Sequence, residues 1–194
     1  LSEAIDPAGP GITRIVEEHY NPIILLMREM EKPIVVAVNG VAAGAGANIA
    51  LAGDLVLAGR GASFIQAFSK IGLIPDSGGT FILPRLIGWQ RAAALMMTGE
   101  KVAAEAAEQM GMIYKAVDDD QLLKEAIVLS EQLAQLPTRG LGLTKRLLNE
   151  SAANSLSQQL QREAVIQTEA GATDDHKEGV KAFLEKRKPV FTGR

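Results

Sequence analysis

The feature that most constrains the fold is the uncharged stretch Pro33–Gly53, which reads PIVVAVNGVAAGAGANIALAG. A β-branched run followed by glycines and small residues is typical of a strand, a tight turn and a helix in succession. The stretch also has the length and the Gly40-x-x-x-Gly44 spacing of packed membrane helices. Its proline and its asparagines, Asn39 and Asn48, insert poorly into a bilayer. We therefore predict a buried strand–turn–helix unit in a soluble protein.

Strand-like and helix-like segments alternate along the first part of the chain, and long amphipathic helices follow from Gln121 onward. Such alternation indicates an α/β layer structure with largely parallel strands, whereas the apolar stripes of the later helices need a partner, either the α/β half or another subunit. We predict an α/β core over residues 1–134 and a C-terminal helical region over residues 135–194. The predicted strands are Ile34–Val38, Leu55–Ala58, Ala62–Ile65 and Met112–Val117, and the predicted helices are Ala45–Ala52, Gly79–Leu86, Gln90–Met97, Ala103–Met110, residues 122–136, Gly140–Glu150, Ser157–Glu169 and Asp174–Lys186.

Composition disfavours several kinds of chemistry. The 194 residues include no cysteine, which removes disulfides and thiolate sites, and 47% are hydrophobic, enough to bury a core. His19 and His176 lie far apart, so neither a histidine metal site nor a catalytic triad is expected, and we predict no metal and no other cofactor. The net charge of −3 with scattered cations gives no nucleic-acid-binding face. The N-terminal segment lacks the regions of a signal peptide, so the predicted location is the cytoplasm.

The glycine cluster at Gly44–Gly46 is the first candidate for chemistry. A helix expected to begin at Ala45 would offer unpaired backbone N–H groups, and the small side chains would let a ligand approach them. The residues do not satisfy the phosphate-loop pattern or the dinucleotide-binding pattern. Tight helix–strand packing and the binding of an oxyanion by a backbone amide both remain open.

Asp76 is the second candidate, set in KIGLIPDSGGTF between an apolar run and a pair of glycines. Pro-Asp-Ser-Gly is good turn chemistry, so Asp76 could simply initiate a turn. A carboxylate surrounded by apolar side chains could also lose water and become a stronger base. The residues alone leave both interpretations open.

Motifs along nearly the whole chain, taken in order, resemble the crotonase superfamily of enoyl-CoA hydratases and isomerases. They are Pro33–Ala47, Gly53-Asp54, Phe64, Gly72–Pro75, Ser77–Thr80, Pro84-Arg85, Leu95–Gly99, Ala103-x-x-Ala106, Gly111-Met112 and residues 178–187. A narrower match, to the epoxyphenylacetyl-CoA isomerases of aerobic phenylacetate catabolism, rests on residues 20–22, 67–76, 117–119, 140–143 and 191–193. The resemblance implies the crotonase (ClpP-like) fold, with stacked βαβ units and a C-terminal helical trimerisation region, and it places the family's first strands before Leu1.

The resemblance also implies roles for individual residues. The family holds the thioester oxygen of an acyl-CoA between two backbone N–H groups, one of which falls on Ala45, while the other belongs to a motif whose final residue matches Leu1. The two glutamates that hydratases use match Asn48 and Phe68, which cannot serve as the acid and base that hydration requires. Asp76 matches the acid/base carboxylate of the isomerases.

Further residues match places near the substrate. Those near the acyl group are Val41, Gly44, Phe64, Phe68 and Leu73, and those near coenzyme A are Phe183 and Lys186. The implied function is an acyl-CoA isomerase that moves a C=C bond, converting ring-1,2-epoxyphenylacetyl-CoA to oxepin-CoA, cis-3-enoyl-CoA to trans-2-enoyl-CoA, or both. The implied partners are the acyl-CoA thioester, identical subunits in a trimer or a dimer of trimers, and other phenylacetate-pathway enzymes, with no nucleic acid or membrane. A hydratase or lyase of the same fold and a non-catalytic CoA-thioester-binding subunit remain as alternatives.

Overall fold

The computed structural model describes residues 8–194, which divide into two compact units. The first unit comprises residues 8–28 and Ile34–Ala126, and the second comprises Glu29–Pro33 and Ile127–Arg194. The domain boundary predicted after residue 134 stays a prediction. Within residues 8–194, no helix is both long enough and apolar enough to cross a membrane.

The first unit contains two small sheets. The strands are β1 Val35–Val38, β2 Val41–Ala43, β3 Leu55–Gly59, β4 Ser63–Ile65, β5 Lys101–Ala103 and β6 Lys115–Val117. In the first sheet β1 and β6 both pair in parallel with β3; in the second, β4 pairs in parallel with β2 and antiparallel with β5. The predicted α/β class with largely parallel pairing is confirmed, but the prediction missed β2 and β5 and extended β6 too far towards Met112.

The helices from Ala45 onward lie close to the predicted ranges, and the structure adds helices before β1. In chain order the helices are α1 Gly11–Ile15, a π-helix Val16–Tyr20, α2 Asn21–Glu29, α3 Ala45–Leu51, a 3-10 helix Ala67–Ile71, α4 Gly79–Ile87, α5 Trp89–Thr98, α6 Ala104–Gln109, α7 Leu122–Ala134, α8 Thr138–Ser151, α9 Leu156–Gly171 and α10 Asp174–Leu184. The segment before β1 carried no helix prediction. Its π-helix is a departure from ordinary helical geometry that sequence periodicity does not reveal.

A local network fixes the start of β3 beside β1. The Asp54 carboxylate accepts hydrogen bonds from the Ile34 N–H at 2.8 Å and from Arg28 at 3.3 Å. Arg28 also donates to the carbonyl oxygen of Ala52 at 3.1 Å. Gly53 is required here because a Cβ at this position would overlap the side chain of Val36. The Gly53-Asp54 motif therefore sets the parallel register of the first sheet.

The hydrophobic core of the first unit lies between the strands and α3, α4, α5 and α6. Its members include Leu51, Val56, Phe64, Leu83 and Ala104, all of which are buried. Burial of each large side chain contributes about 1.5–3 kcal/mol. This core holds in place the loops that leave the strands, which is where the cavity described below is formed.

In the second unit, an ion-pair cluster joins Glu31 to the helices that follow α7. Arg139 and Arg146 each pair with both Glu31 and Glu169. The pKa of Glu31 lies below its usual range because Arg146 donates hydrogen bonds to its carboxylate and Arg139 adds further attraction. The cluster contains two cations and two anions and therefore balances its own charge.

Two carboxylates of α10 hold the C-terminal segment. Asp175 is buried and accepts hydrogen bonds from the N–H groups of Thr192 at 2.7 Å and Gly193 at 2.9 Å. Glu178 accepts from Arg187 at 2.6 Å and from the Val190 N–H at 2.9 Å, and these bonds lower the pKa of Glu178 to about 2.

Two glycines of α8 differ sharply in their surroundings. A Cβ at Gly142 would overlap the carbonyl oxygen of Glu31, whereas a Cβ at Gly140 would meet nothing within 4 Å. We expect Gly142→Ala to lower the free energy of unfolding by about 1–3 kcal/mol, because the Glu31 backbone must shift. Gly140→Ala should raise it by about 0.5–1 kcal/mol, since alanine favours a helix. Urea unfolding of both variants measures the difference, and equal effects would show that this close approach does not matter.

Candidate active site

A cavity of about 350 Å³ opens in the first unit. Three segments form its walls: α1 with the π-helix, the junction of β2 and α3, and the 3-10 helix with the loop after it. The lining residues are Ile12, Ile15, Val16, Tyr20, Ala43, Gly44, Ala45, Gly46, Ala67, Phe68, Ile71, Leu73 and Asp76. Among these lining side chains only Tyr20 and Asp76 are polar, so the cavity suits a largely apolar ligand that makes few polar contacts.

The junction of β2 and α3 presents backbone to this cavity. Gly44 has φ 55° and ψ −126°, a conformation that strains any residue with a Cβ. Its N–H donates to the Ile65 carbonyl at 2.9 Å, and its carbonyl accepts from the N–H groups of Ala47 at 3.1 Å and Asn48 at 3.2 Å. The N–H of Ala45, the first residue of α3, has no acceptor among residues 8–194. A ligand oxygen can therefore take this hydrogen bond.

Asp76 begins a tight turn into α4. The Gly79 N–H donates to the Asp76 carbonyl at 2.9 Å, and the two central residues, Ser77 and Gly78, have φ values of 49° and 73°. Two positive φ values at the centre define a type I′ turn, which is unusual for a serine. Ser77 is buried and donates from Oγ to Asp76 Oδ1 at 2.9 Å. The strained turn thus fixes the carboxylate at the cavity wall, and the turn and base interpretations of Asp76 are compatible.

A buried amide pair supports the same turn from behind. Asn48, only 1% exposed, donates from Nδ2 to the Asp76 carbonyl at 2.9 Å. Its Oδ1 accepts from Gln66 Nε2 at 2.8 Å. A Cβ at Gly79 would overlap the Asn48 amide, so the two helices α3 and α4 approach closely here. The Asn48 side chain therefore holds the backbone of the Asp76 turn and does not line the cavity.

The structure brings together five of the residues singled out from the sequence. Gly44, Ala45, Phe68, Leu73 and Asp76 all line the one cavity. Asp76 is the sole acidic residue among the lining residues, so the cavity wall that includes Phe68 carries no second carboxylate. No cluster of three or more His, Asp or Glu side chains in residues 8–194 is arranged to hold a metal ion.

The other singled-out residues lie elsewhere. Val41 is 65% exposed and Phe64 is 2% exposed in the core, and neither lines the cavity. Phe183 and Lys186 belong to the second unit, where Phe183 is 82% exposed and lines a separate cavity of about 460 Å³. Leu1, matched to the final residue of the motif that carries the other oxyanion donor, lies outside the described residues.

Sequence reasoning missed the wall formed by α1 and the π-helix. The apolar residues Ile12, Ile15 and Val16 have the i, i+3, i+4 spacing of a helix face, which is the signal that could have found this wall. Tyr20 continues the same spacing, at i+8 from Ile12 and i+4 from Val16. The sequence analysis used Tyr20 only as part of the motif at residues 20–22.

Comparisons with known proteins agree on one family. The model of the family described as enoyl-CoA hydratase/isomerase matches residues 8–194. The 1,2-epoxyphenylacetyl-CoA isomerase of Escherichia coli (strain K12) is 49% identical over 192 residues, which cover 98% of this chain and 73% of that protein. The trans-2-decenoyl-[acyl-carrier-protein] isomerase of Streptococcus mutans is 37% identical over 194 residues, covering 100% of this chain and 74% of that protein.

Solved structures give the same result. A Mycobacterium abscessus protein assigned to the enoyl-CoA hydratases/isomerases superposes with a TM-score of 0.90 at 41% identity, covering 94% of this chain and 70% of that chain. Other matched relatives are named hydratases. The comparisons therefore agree on the family and its fold, and include both reaction types.

Proposed function

The chain belongs to the enoyl-CoA hydratase/isomerase family, the crotonase superfamily that its sequence motifs resemble. From this premise we propose that it is an acyl-CoA isomerase. The predicted crotonase fold is confirmed by the solved relatives. The observation that carries the proposal is a cavity whose lining includes the carboxylate of Asp76 and the backbone N–H of Ala45, which has no acceptor within residues 8–194. These are the two groups that a proton shuttle next to a thioester needs.

The proposed mechanism moves one proton within the substrate. Asp76 removes a proton from the carbon α to the thioester, and the electron pair spreads onto the thioester oxygen. The Ala45 N–H stabilises the resulting oxyanion, and the Asp76 carboxyl group then returns the proton to the far end of the conjugated system. A cis-3-enoyl thioester becomes a trans-2-enoyl thioester with no change in composition. The chemistry therefore requires no cofactor.

The residues around the cavity disfavour hydration. Adding water across a double bond needs an acid and a base that contact the same water molecule. Of the two positions that match the hydratase glutamates, Asn48 is buried and bonded to the Asp76 turn, and Phe68 presents a phenyl ring. A single lining carboxylate suits isomerisation better.

We favour a ring-bearing acyl group as the substrate. The relative from Escherichia coli is named for 1,2-epoxyphenylacetyl-CoA, and Phe68 provides a flat wall beside Leu73 for an aromatic ring. Conversion of a ring 1,2-epoxide to an oxepin is also an isomerisation, in which the carbon–carbon bond shared by the two rings opens. This substrate class and enoyl thioesters are compatible with the same oxyanion contact.

The remaining parts of the proposal concern the coenzyme A contacts, the subunit assembly and the cellular location. Phe183 and Lys186 would contact coenzyme A, and the protein would form a trimer or a dimer of trimers in the cytoplasm, working with other enzymes of phenylacetate catabolism. Exposed apolar side chains on the helices of the second unit, such as Leu148, Leu160 and Phe183, support subunit packing.

An absorbance assay with the full-length protein tests the proposed function. A cis-3-enoyl-CoA is added, and the ultraviolet band of the conjugated thioester is followed. An isomerase makes this band grow, a hydratase instead removes it from a trans-2-enoyl-CoA, and a binding subunit changes neither. Analysis of the products formed from ring-1,2-epoxyphenylacetyl-CoA then shows whether the ring substrate is used. Absence of turnover with both substrates would refute the proposal.

A further inference from the structure

We propose that the Tyr20 hydroxyl binds an acceptor oxygen on the acyl group and so selects oxygen-bearing acyl groups over purely hydrocarbon ones. The inference deepens the proposed function and rests on it, because it takes the cavity of the first unit to be the acyl pocket. Tyr20 and Asp76 supply the polar side chains among the lining residues. The proposed mechanism uses Asp76 and leaves Tyr20 without a role.

The Tyr20 hydroxyl is available for a ligand. It makes no hydrogen bond to any of residues 8–194, and the side chain is only partly exposed. Around it the lining residues Ile12, Ile15 and Val16 are apolar. A hydrocarbon ligand that displaced water from this wall would leave the hydroxyl without a partner, which is unfavourable. A ligand with an oxygen at this point would restore the bond.

Local structure explains why Tyr20 takes part in the wall. It is the last residue of the π-helix, where the Asn21 N–H bonds to the Val16 carbonyl, five residues earlier. Pro22 follows and has no N–H to donate, so an ordinary i to i−4 ladder cannot run through this point. Single π-helical turns inside helices are frequent at functional sites. The π-helix thus ends at Tyr20, which lines the cavity together with Val16 at the start of the same turn.

Donors and acceptors in the cavity are complementary to an ether-type oxygen. Such an oxygen, in an epoxide or an oxepin ring, accepts hydrogen bonds and cannot donate them. The ionised Asp76 carboxylate only accepts, so it cannot satisfy this oxygen. The Tyr20 hydroxyl can donate, and in apolar surroundings its hydrogen bond is strengthened. Among the lining side chains it is the one donor when Asp76 is ionised.

Binding of two matched, unreactive ligands to the full-length protein tests the inference. These are 2-methoxyphenylacetyl-CoA, which carries an ether oxygen, and 2-ethylphenylacetyl-CoA, which has the same shape without it. Calorimetry gives the Kd of each ligand for the wild type, for Tyr20→Phe and for Tyr114→Phe. Tyr114 is exposed and lies outside the cavity lining, so its variant is the matched control.

In Tyr20→Phe, the preference for the methoxy over the ethyl ligand is expected to fall about threefold to tenfold, which is the loss of one neutral hydrogen bond. The Tyr114→Phe preference should equal that of the wild type. An unchanged preference in Tyr20→Phe, or equal weakening of both ligands, would overturn the inference. If the wild type binds both ligands but isomerises no substrate, the proposed function fails while the ratio still decides the role of Tyr20. If neither ligand binds, the inference fails, and the turnover assays alone decide the proposed function.

Discussion

Replacing Asp76 by Asn is expected to lower the kcat of isomerisation by about 10²–10⁴-fold, the range that general acid–base catalysis supplies. Asparagine has nearly the shape of aspartate, and its side-chain oxygen can still accept the hydrogen bond that Ser77 donates at 2.9 Å. It cannot take up a proton from the substrate. The rate of growth of the conjugated-thioester band, measured with the full-length protein at saturating substrate, gives kcat directly.

Asp120→Asn is the matched control for Asp76→Asn. Asp120 is an exposed residue in a loop, and its carboxylate accepts from the neighbouring Gln121 at 3.1 Å. We expect this variant to keep the full kcat. Because the backbone bonds of the Asp76 turn remain in Asp76→Asn, its thermal unfolding and its affinity for a non-reacting CoA thioester should match the wild type. Full isomerase activity in Asp76→Asn would exclude Asp76 as the base.

Local sequence signals were sufficient for much of the first unit. The β-branched run before Asn39 and the glycines after it correctly predicted β1 and α3, because each element is long enough to show its own pattern. The strands Val41–Ala43 and Lys101–Ala103 were missed because each has a single β-branched residue and continues into small or helix-favouring residues. Their pairing with β4 depends on contacts between distant segments, which an isolated pattern does not contain.

In the candidate site too, local features could be predicted from the sequence and contacts between distant residues could not. Pro-Asp-Ser-Gly predicted the turn at Asp76 from local chemistry, and the structure shows that turn. The bond from Asn48 to the Asp76 carbonyl could not be predicted, because it joins residues 28 positions apart and depends on the approach of α3 to α4. Tyr20 was missed as a lining residue although it continues the spacing of Ile12 and Val16, because no helix was predicted before β1.

The second large effect is expected from Ala45→Pro, which removes the proposed oxyanion donor. Proline is well tolerated at the first position of a helix, where its missing N–H has no partner within the helix. Gly44 has ψ −126°, outside the helical region that a following proline disfavours. We expect kcat to fall about 10²–10³-fold, as when one oxyanion-hole donor is lost. Steady-state kinetics of the full-length variant measure this fall.

Trp89→Pro makes the same backbone change away from the cavity. Trp89 is the first residue of α5, it follows Gly88 with ψ 160°, and its side chain is exposed. This control should keep the wild-type kcat, because no lining residue changes. If Ala45→Pro folds normally and retains its kcat, the thioester oxygen does not use the Ala45 N–H, and the charge on the enolate must be stabilised by another group. A loss in Ala45→Pro alone ties the rate to the backbone at the start of α3, since the two variants share the proline, the preceding glycine and the position in a helix.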